Sequence, residues 1–146
     1  MFSKTELIDK AGSPETIPQI SLQVKKYSQD DFKEPEAEQS IVFCYAEKNE
    51  VENITDFYLN ALSKSGISKD YIIPFLEQTS LQLKSIDKEK FESLILEQTE
   101  NLREEFTLSM KGDFVSGIIL VENWDYISVI AETSQEYIAF FWETIA

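Results

Sequence analysis

At 146 residues, with 42% hydrophobic and 12% aromatic residues, the chain is long enough for one domain with its own core and too apolar for disorder. Its 27 acidic residues against 13 basic ones give a formal charge of −14. That balance disfavours nucleic acid and anionic membranes, which are bound through lysine and arginine, and the only arginine is Arg103.

Residues 1–146 are read as a single domain, and a chain of this size buries roughly two thirds of its unfolded surface. The opening residues MFSKTELIDKAGS lack the apolar centre of a signal peptide. No apolar run approaches the roughly 20 residues that span a bilayer, so a cytoplasmic protein is expected.

Ser3 with Glu6 fits a capping box ahead of Leu7 and Ile8, which predicts a short helix over 3–11. Gly12, Pro14 and Pro18 end it. From Ile20 apolar and polar residues alternate (Ile20, Leu22, Val24), the pattern of a half-buried strand. Residues 28–40 form an acidic loop. A second strand, Ser40 to Glu47, is apolar on both faces and contains Cys44, read as a small core residue.

Val51, Ile54, Phe57, Tyr58, Ala61 and Leu62 recur at helical spacing, and Gly66 closes that helix. The sequon at Asn53 falls inside it and is discarded. Two further helices are expected, over 72–83 with Pro74 near its start, and over 87–111 with Gly112 as its stop. After Gly112 the period becomes extended. The stretches DFVSGIILVE, YISVIAET and EYIAFFWETI, separated by short polar breaks, predict a three-stranded meander.

This order predicts an α+β domain: a single antiparallel sheet of about five strands, two N-terminal and three from the C-terminal meander, with helices packed on one face. In the last strand Tyr137, Ala139 and Phe141 share one face, and Ile138, Phe140 and Trp142 the other. Helices on one side leave the second face either wrapped by another segment or open as an apolar interaction patch. The N-terminal helix and the 28–40 loop are the candidate covers.

The chain has no histidine, which removes the commonest general acid–base group and the Glu-x-x-His of di-iron bundles. One cysteine builds neither a disulfide nor a zinc site. The four glycines stand apart, so no phosphate-binding loop is present. Glu97, Glu100 and Glu104 sit at helical spacing and could touch a hard cation, but such a row is ordinarily a solvent face. A carboxylate pair could also hydrolyse glycosides, yet among 27 acids some pair lies at the right separation by chance. No enzyme, cofactor or metal site is expected.

From Gly112 to Ala146 there is no basic residue, while Asp113, Glu122, Asp125, Glu132, Glu136 and Glu143 are all acidic. Acids beside aromatic residues suit a surface that docks on a basic protein, because opposite charge speeds encounter and aromatic anchors supply affinity. The expected role is therefore a non-catalytic protein-binding module, such as a bacterial immunity protein or inhibitor of a basic toxin. The candidate interface residues are Trp124, Asp125, Glu132, Glu136, Trp142 and Glu143, with Asp30 and Asp31 from the loop. A self-associating structural or adaptor protein, for instance a homodimer through the last strand, is one alternative. A small-ligand pocket lined by Phe43, Tyr45, Tyr126 and Trp142 is another.

Overall fold

Six strands hydrogen-bond into one antiparallel sheet in the computed structural model, which describes residues 3–12, 21–34 and 38–145. The elements in chain order are α1 (Lys4–Ala11), β1 (Gln23–Tyr27), β2 (Glu38–Glu47), α2 (Ile54–Lys64), α3 (Ile72–Gln78), β3 (Lys84–Ile86), α4 (Lys88–Thr99), β4 (Phe114–Glu122), β5 (Tyr126–Thr133) and β6 (Glu136–Ile145). The strand order is β1-β2-β6-β5-β4-β3. The α+β class and the C-terminal meander agree with the sequence reading.

The helix starts follow their caps. Ser3 Oγ accepts the Glu6 N–H at 3.1 Å, Asn53 Oδ1 that of Asp56 at 2.9 Å, and Asp87 Oδ1 that of Lys90 at 2.8 Å. The predicted strand beginning at Ile20 lies partly outside the described residues, and β1 starts at Gln23.

The two helices expected between residues 72 and 111 are both shorter than their hydrophobic patterns suggested. α3 ends at Gln78, where Lys4 of α1 donates to the carbonyls of Glu77 and Thr79 at 3.1 and 3.0 Å. The chain then runs extended, Gln82 N–H bonds Leu120 at 2.8 Å, and β3 becomes the sixth strand. α4 ends at Thr99 rather than near Lys111. Beyond it Phe106, Leu108 and Met110 alternate, and only an extended chain puts all three against the sheet. Backbone bonds from Lys33 to Asn101 (2.7 Å) and from Arg103 to Asp31 (2.8 Å) hold the start of this segment.

The helices do not share one face. α1, α2 and α3 cover the face of Val42, Cys44, Tyr137, Ala139 and Phe141, with Leu7, Phe57, Leu62 and Leu76 buried between. α4 and the extended segment cover the other face, where Phe91, Leu94 and Ile95 meet Phe43, Ile138, Phe140 and Trp142. β6 lies between β2 and β5 and is buried on both faces, so its alternating apolar residues feed two cores. Of the covers foreseen for the second face, the acidic loop contributes Phe32, which is fully buried, but α1 lies on the opposite side.

Gly112 has φ +80°, and a side chain there would collide with Ser134 and Gln135 at the β5–β6 turn. This position needs glycine for backbone conformation and for space.

Candidate functional site

The sheet has two acidic ends, and they differ in how their charges are satisfied. At one end β2 finishes and β6 begins. There Lys48 bonds Glu132 at 2.6 Å and Lys111 bonds Glu47 at 3.1 Å. Hydrogen bonding to Glu132 raises the Lys48 pKa, and hydrogen bonding to Glu47 raises that of Lys111. Glu136 is buried and accepts the Lys111 backbone N–H at 2.6 Å. These three acids have bonding partners within the chain, Glu136 in the interior and Glu47 at the surface.

The opposite end is where β4 turns into β5 and β6 finishes. Asn123 Oδ1 accepts the N–H groups of Asp125 (3.2 Å) and Tyr126 (2.9 Å), an Asx-type turn that places Trp124 at its tip. Trp124 is 72% exposed. Tyr126 pairs with Glu143 across the β5–β6 ladder, and Thr144 N–H bonds the Asp125 carbonyl at 3.0 Å. Ile145, the next residue on β6, is 74% exposed. Glu143 Oε1 accepts the Ser40 hydroxyl at 3.3 Å, and Glu38 pairs with Ile145 in the β2–β6 ladder. None of Glu38, Asp125 and Glu143 joins an ion pair among the described residues. Two large exposed apolar side chains thus sit among three unneutralised carboxylates.

A cleft of about 370 Å³ opens at this end, between the sheet and the α2–α3 connection. Val42, Phe141 and Tyr126 line it from the sheet, and Phe75 from α3. Ser65, Gly66 and Ile67 close it at the end of α2, where Gly66 takes φ +115°. Ser40, Asp125, Glu143 and Thr144 supply its polar lining. Burial pushes the Tyr126 phenol well above its ordinary value, and Ser128 opposes that shift only in part. The Tyr126 hydroxyl is buried without a hydrogen bond of normal geometry, whereas Ser128 Oγ lies 3.4 Å from the Tyr58 hydroxyl.

The structure therefore divides the candidate residues. Trp124, Asp125 and Glu143 come together beside the cleft. Asp30 and Asp31 lie at the same end of the sheet but in the β1–β2 connection, where Asp31 accepts the Ser28 N–H at 2.8 Å. Glu132 and Glu136 belong to the other end. Trp142 is 8% exposed, and its Nε1–H donates to Gln39 at 3.1 Å within the core on the α4 side. Of the pocket aromatics, Tyr126 lines the cleft, whereas Phe43 and Trp142 are core. Tyr45 lines a separate groove with Lys111 and Glu136.

Sequence reasoning missed Ser40, Ser65, Phe75 and Thr144, which reach the cleft from four separate segments and share no local pattern. The glutamate row also dissolves: Glu97 is on α4, Glu100 caps it, and Glu104 lies in the extended segment. Among the described residues no three His, Cys, Asp or Glu side chains are grouped to hold a metal ion, and no helix is long and apolar enough to cross a membrane. No protein-family model matches the chain, and no curated protein or solved structure is significantly similar to it.

Proposed function

We propose that this chain is a non-catalytic binding module that docks on a basic protein through the rim formed by Trp124, Ile145, Glu38, Asp125 and Glu143. The observation that carries the reading is the contrast between the two ends of the sheet. Glu132 and Glu47 are paired with lysines at one end; at the other Glu122 pairs with Lys90 at 3.6 Å, but Glu38, Asp125 and Glu143 beside the exposed Trp124 join no ion pair among the described residues. Unpaired carboxylates steer a cationic partner, and an exposed tryptophan beside them is the kind of residue that supplies affinity once contact is made. The lone cysteine adds no nucleophile, since burial pushes the Cys44 thiol up to about 12. An inhibitor or immunity protein for a basic toxin is the sharpest form of this role.

The test is capture from a lysate of the organism that makes the protein, at low and high salt, by wild type and by an Asp125→Lys/Glu143→Lys variant of native fold. A basic protein held stoichiometrically by wild type, released by salt and not held by the variant is the expected result. A partner held equally by both, or one indifferent to salt, would overturn the reading.

A further inference from the structure

We propose that the cleft beside Trp124 receives a guanidinium group, carried by an arginine side chain of the basic partner inferred above; the proposal rests on that reading and names the group it recognises. Three features, each from a different part of the fold, favour a cation there. Asp125 from the β4–β5 turn and Glu143 from β6 line one cavity of about 370 Å³ without a cationic partner among the described residues. Two like charges on one cavity repel each other until a cation enters. The end of α2 forms one wall, and the aligned peptide dipoles leave partial negative charge at a helix C-terminus. Lys64, in the last turn of α2, is exposed and does not line the cavity.

The third feature is aromatic. Phe75 and Tyr126 meet edge to face with centroids 6.1 Å apart, and Phe141 lines the same space. Ring faces attract cations within about 6 Å. Guanidinium suits the site better than ammonium. It is planar, stacks on rings, and carries five donors, enough for the two carboxylates and the Ser40 hydroxyl together. The volume lies near the lower end of the roughly 300–1,000 Å³ of ligand pockets, a space for a side chain and not for a folded segment.

An amide-shift titration of the intact chain at fixed ionic strength tests this with three probes: a short arginine-bearing peptide, its lysine counterpart, and ethylguanidinium chloride. The arginine peptide and ethylguanidinium should both move the Gly66, Ile67, Asp125 and Thr144 amides. The arginine peptide should bind more tightly than the lysine peptide and weaken roughly tenfold on Asp125→Asn/Glu143→Gln. Those substitutions keep the side-chain shapes, and unshifted amides elsewhere check the fold.

Arginine-peptide shifts confined to the Trp124 turn, with the Gly66 and Ile67 amides unmoved, would overturn the cleft and leave the acidic rim standing. Equal binding of both peptides would overturn the choice of guanidinium. Binding of ethylguanidinium but not of the arginine peptide would overturn the assignment to a partner's side chain. No shift with any probe would overturn the cleft site, while the rim is decided separately by the capture experiment.

Discussion

Glu136 accepts the backbone N–H of Lys111 at 2.6 Å although it is only 4% exposed, so a carboxylate inside the fold holds the end of the extended segment that covers the α4 face. Thr133 completes the lock: its hydroxyl donates to the Lys111 carbonyl and accepts the Gln135 and Glu136 N–H groups at 3.1 and 2.9 Å. Glu136→Ala strands a backbone donor and should cost about 1–3 kcal/mol in urea unfolding, with Glu136→Gln costing less. A stability within 0.5 kcal/mol of wild type, roughly the range of neutral surface substitutions, would show that the contact is dispensable.

Asp56 is buried in the first turn of α2, and its oxygens have no hydrogen bond; its ion pair is with Lys10 of α1 at 3.6 Å. Removing one partner of such a pair leaves an uncompensated charge. Lys10→Met should therefore destabilise by about 1–3 kcal/mol, less than the roughly 3–5 kcal/mol of a wholly buried pair because the Lys10 side chain is 37% exposed. Lys10→Met/Asp56→Leu should recover most of that loss. A double variant no more stable than the single one would contradict this view of the α1–α2 contact.

Tyr126→Phe should be neutral or slightly stabilising at pH 7, since the hydroxyl it removes is buried without a normal hydrogen bond. The alkaline limb distinguishes it from a silent change. Burial raises the Tyr126 phenol above the ordinary value of 10.0, so the unfolded chain ionises first and stability falls as pH climbs past that value. Tyr45, pushed up to about 12 by burial and then by Glu136, acts in the same direction. Melting temperatures of Tyr126→Phe should decline less steeply above pH 10 than those of wild type. Parallel curves would refute the assignment.

Cys44 is fully buried in β2, and burial moves its thiol up to about 12. Aromatic-disulfide reagents at mildly alkaline pH should leave it unmodified in the folded protein and label it fully in denaturant. Rapid labelling under native conditions would mean that the β2–β6 ladder opens readily.

The two tryptophans should separate cleanly by acrylamide quenching of fluorescence. Trp124 is 72% exposed and Trp142 is 8% exposed. Trp124→Phe should abolish the readily quenched component, while Trp142→Phe should retain it and lose stability with the Gln39 contact. Equal quenching of the two variants would mean that the β4–β5 turn packs differently in solution.

Local patterns revealed most of the fold because they were physically local. Capping at Ser3, alternation in residues 114–145 and the short breaks between those strands each report on neighbouring residues. The segment after Thr99 was misread because Phe91, Leu94, Ile95, Leu102 and Phe106 resemble one helical stripe. Alternation at Phe106, Leu108 and Met110 was the competing signal, and backbone partners at Asp31 and Lys33 accompany the extended path. Of the cover on the second sheet face only the 28–40 loop, through Phe32, was foreseen, while α4 and the extended segment after it were not. At the site, Trp124 and Asp125 could be found from a polar turn between two strands. The sorting of acids into paired and unpaired could not, because Lys48 is 84 positions from Glu132, and Ser40 is 103 from Glu143.

The central place of β6 also fixes an order of assembly. β1 and β2 pair with each other, as do β5, β4 and β3, but the two groups join as a sheet only through residues 136–145. On a ribosome the early hairpin must wait, one edge open, until that distant strand emerges. A chain stopped before Glu136 would present two bare strand edges, each a template for pairing with another chain. Such a fragment should aggregate instead of folding in part, so residues 136–145 act as a checkpoint between a nascent chain and a finished domain.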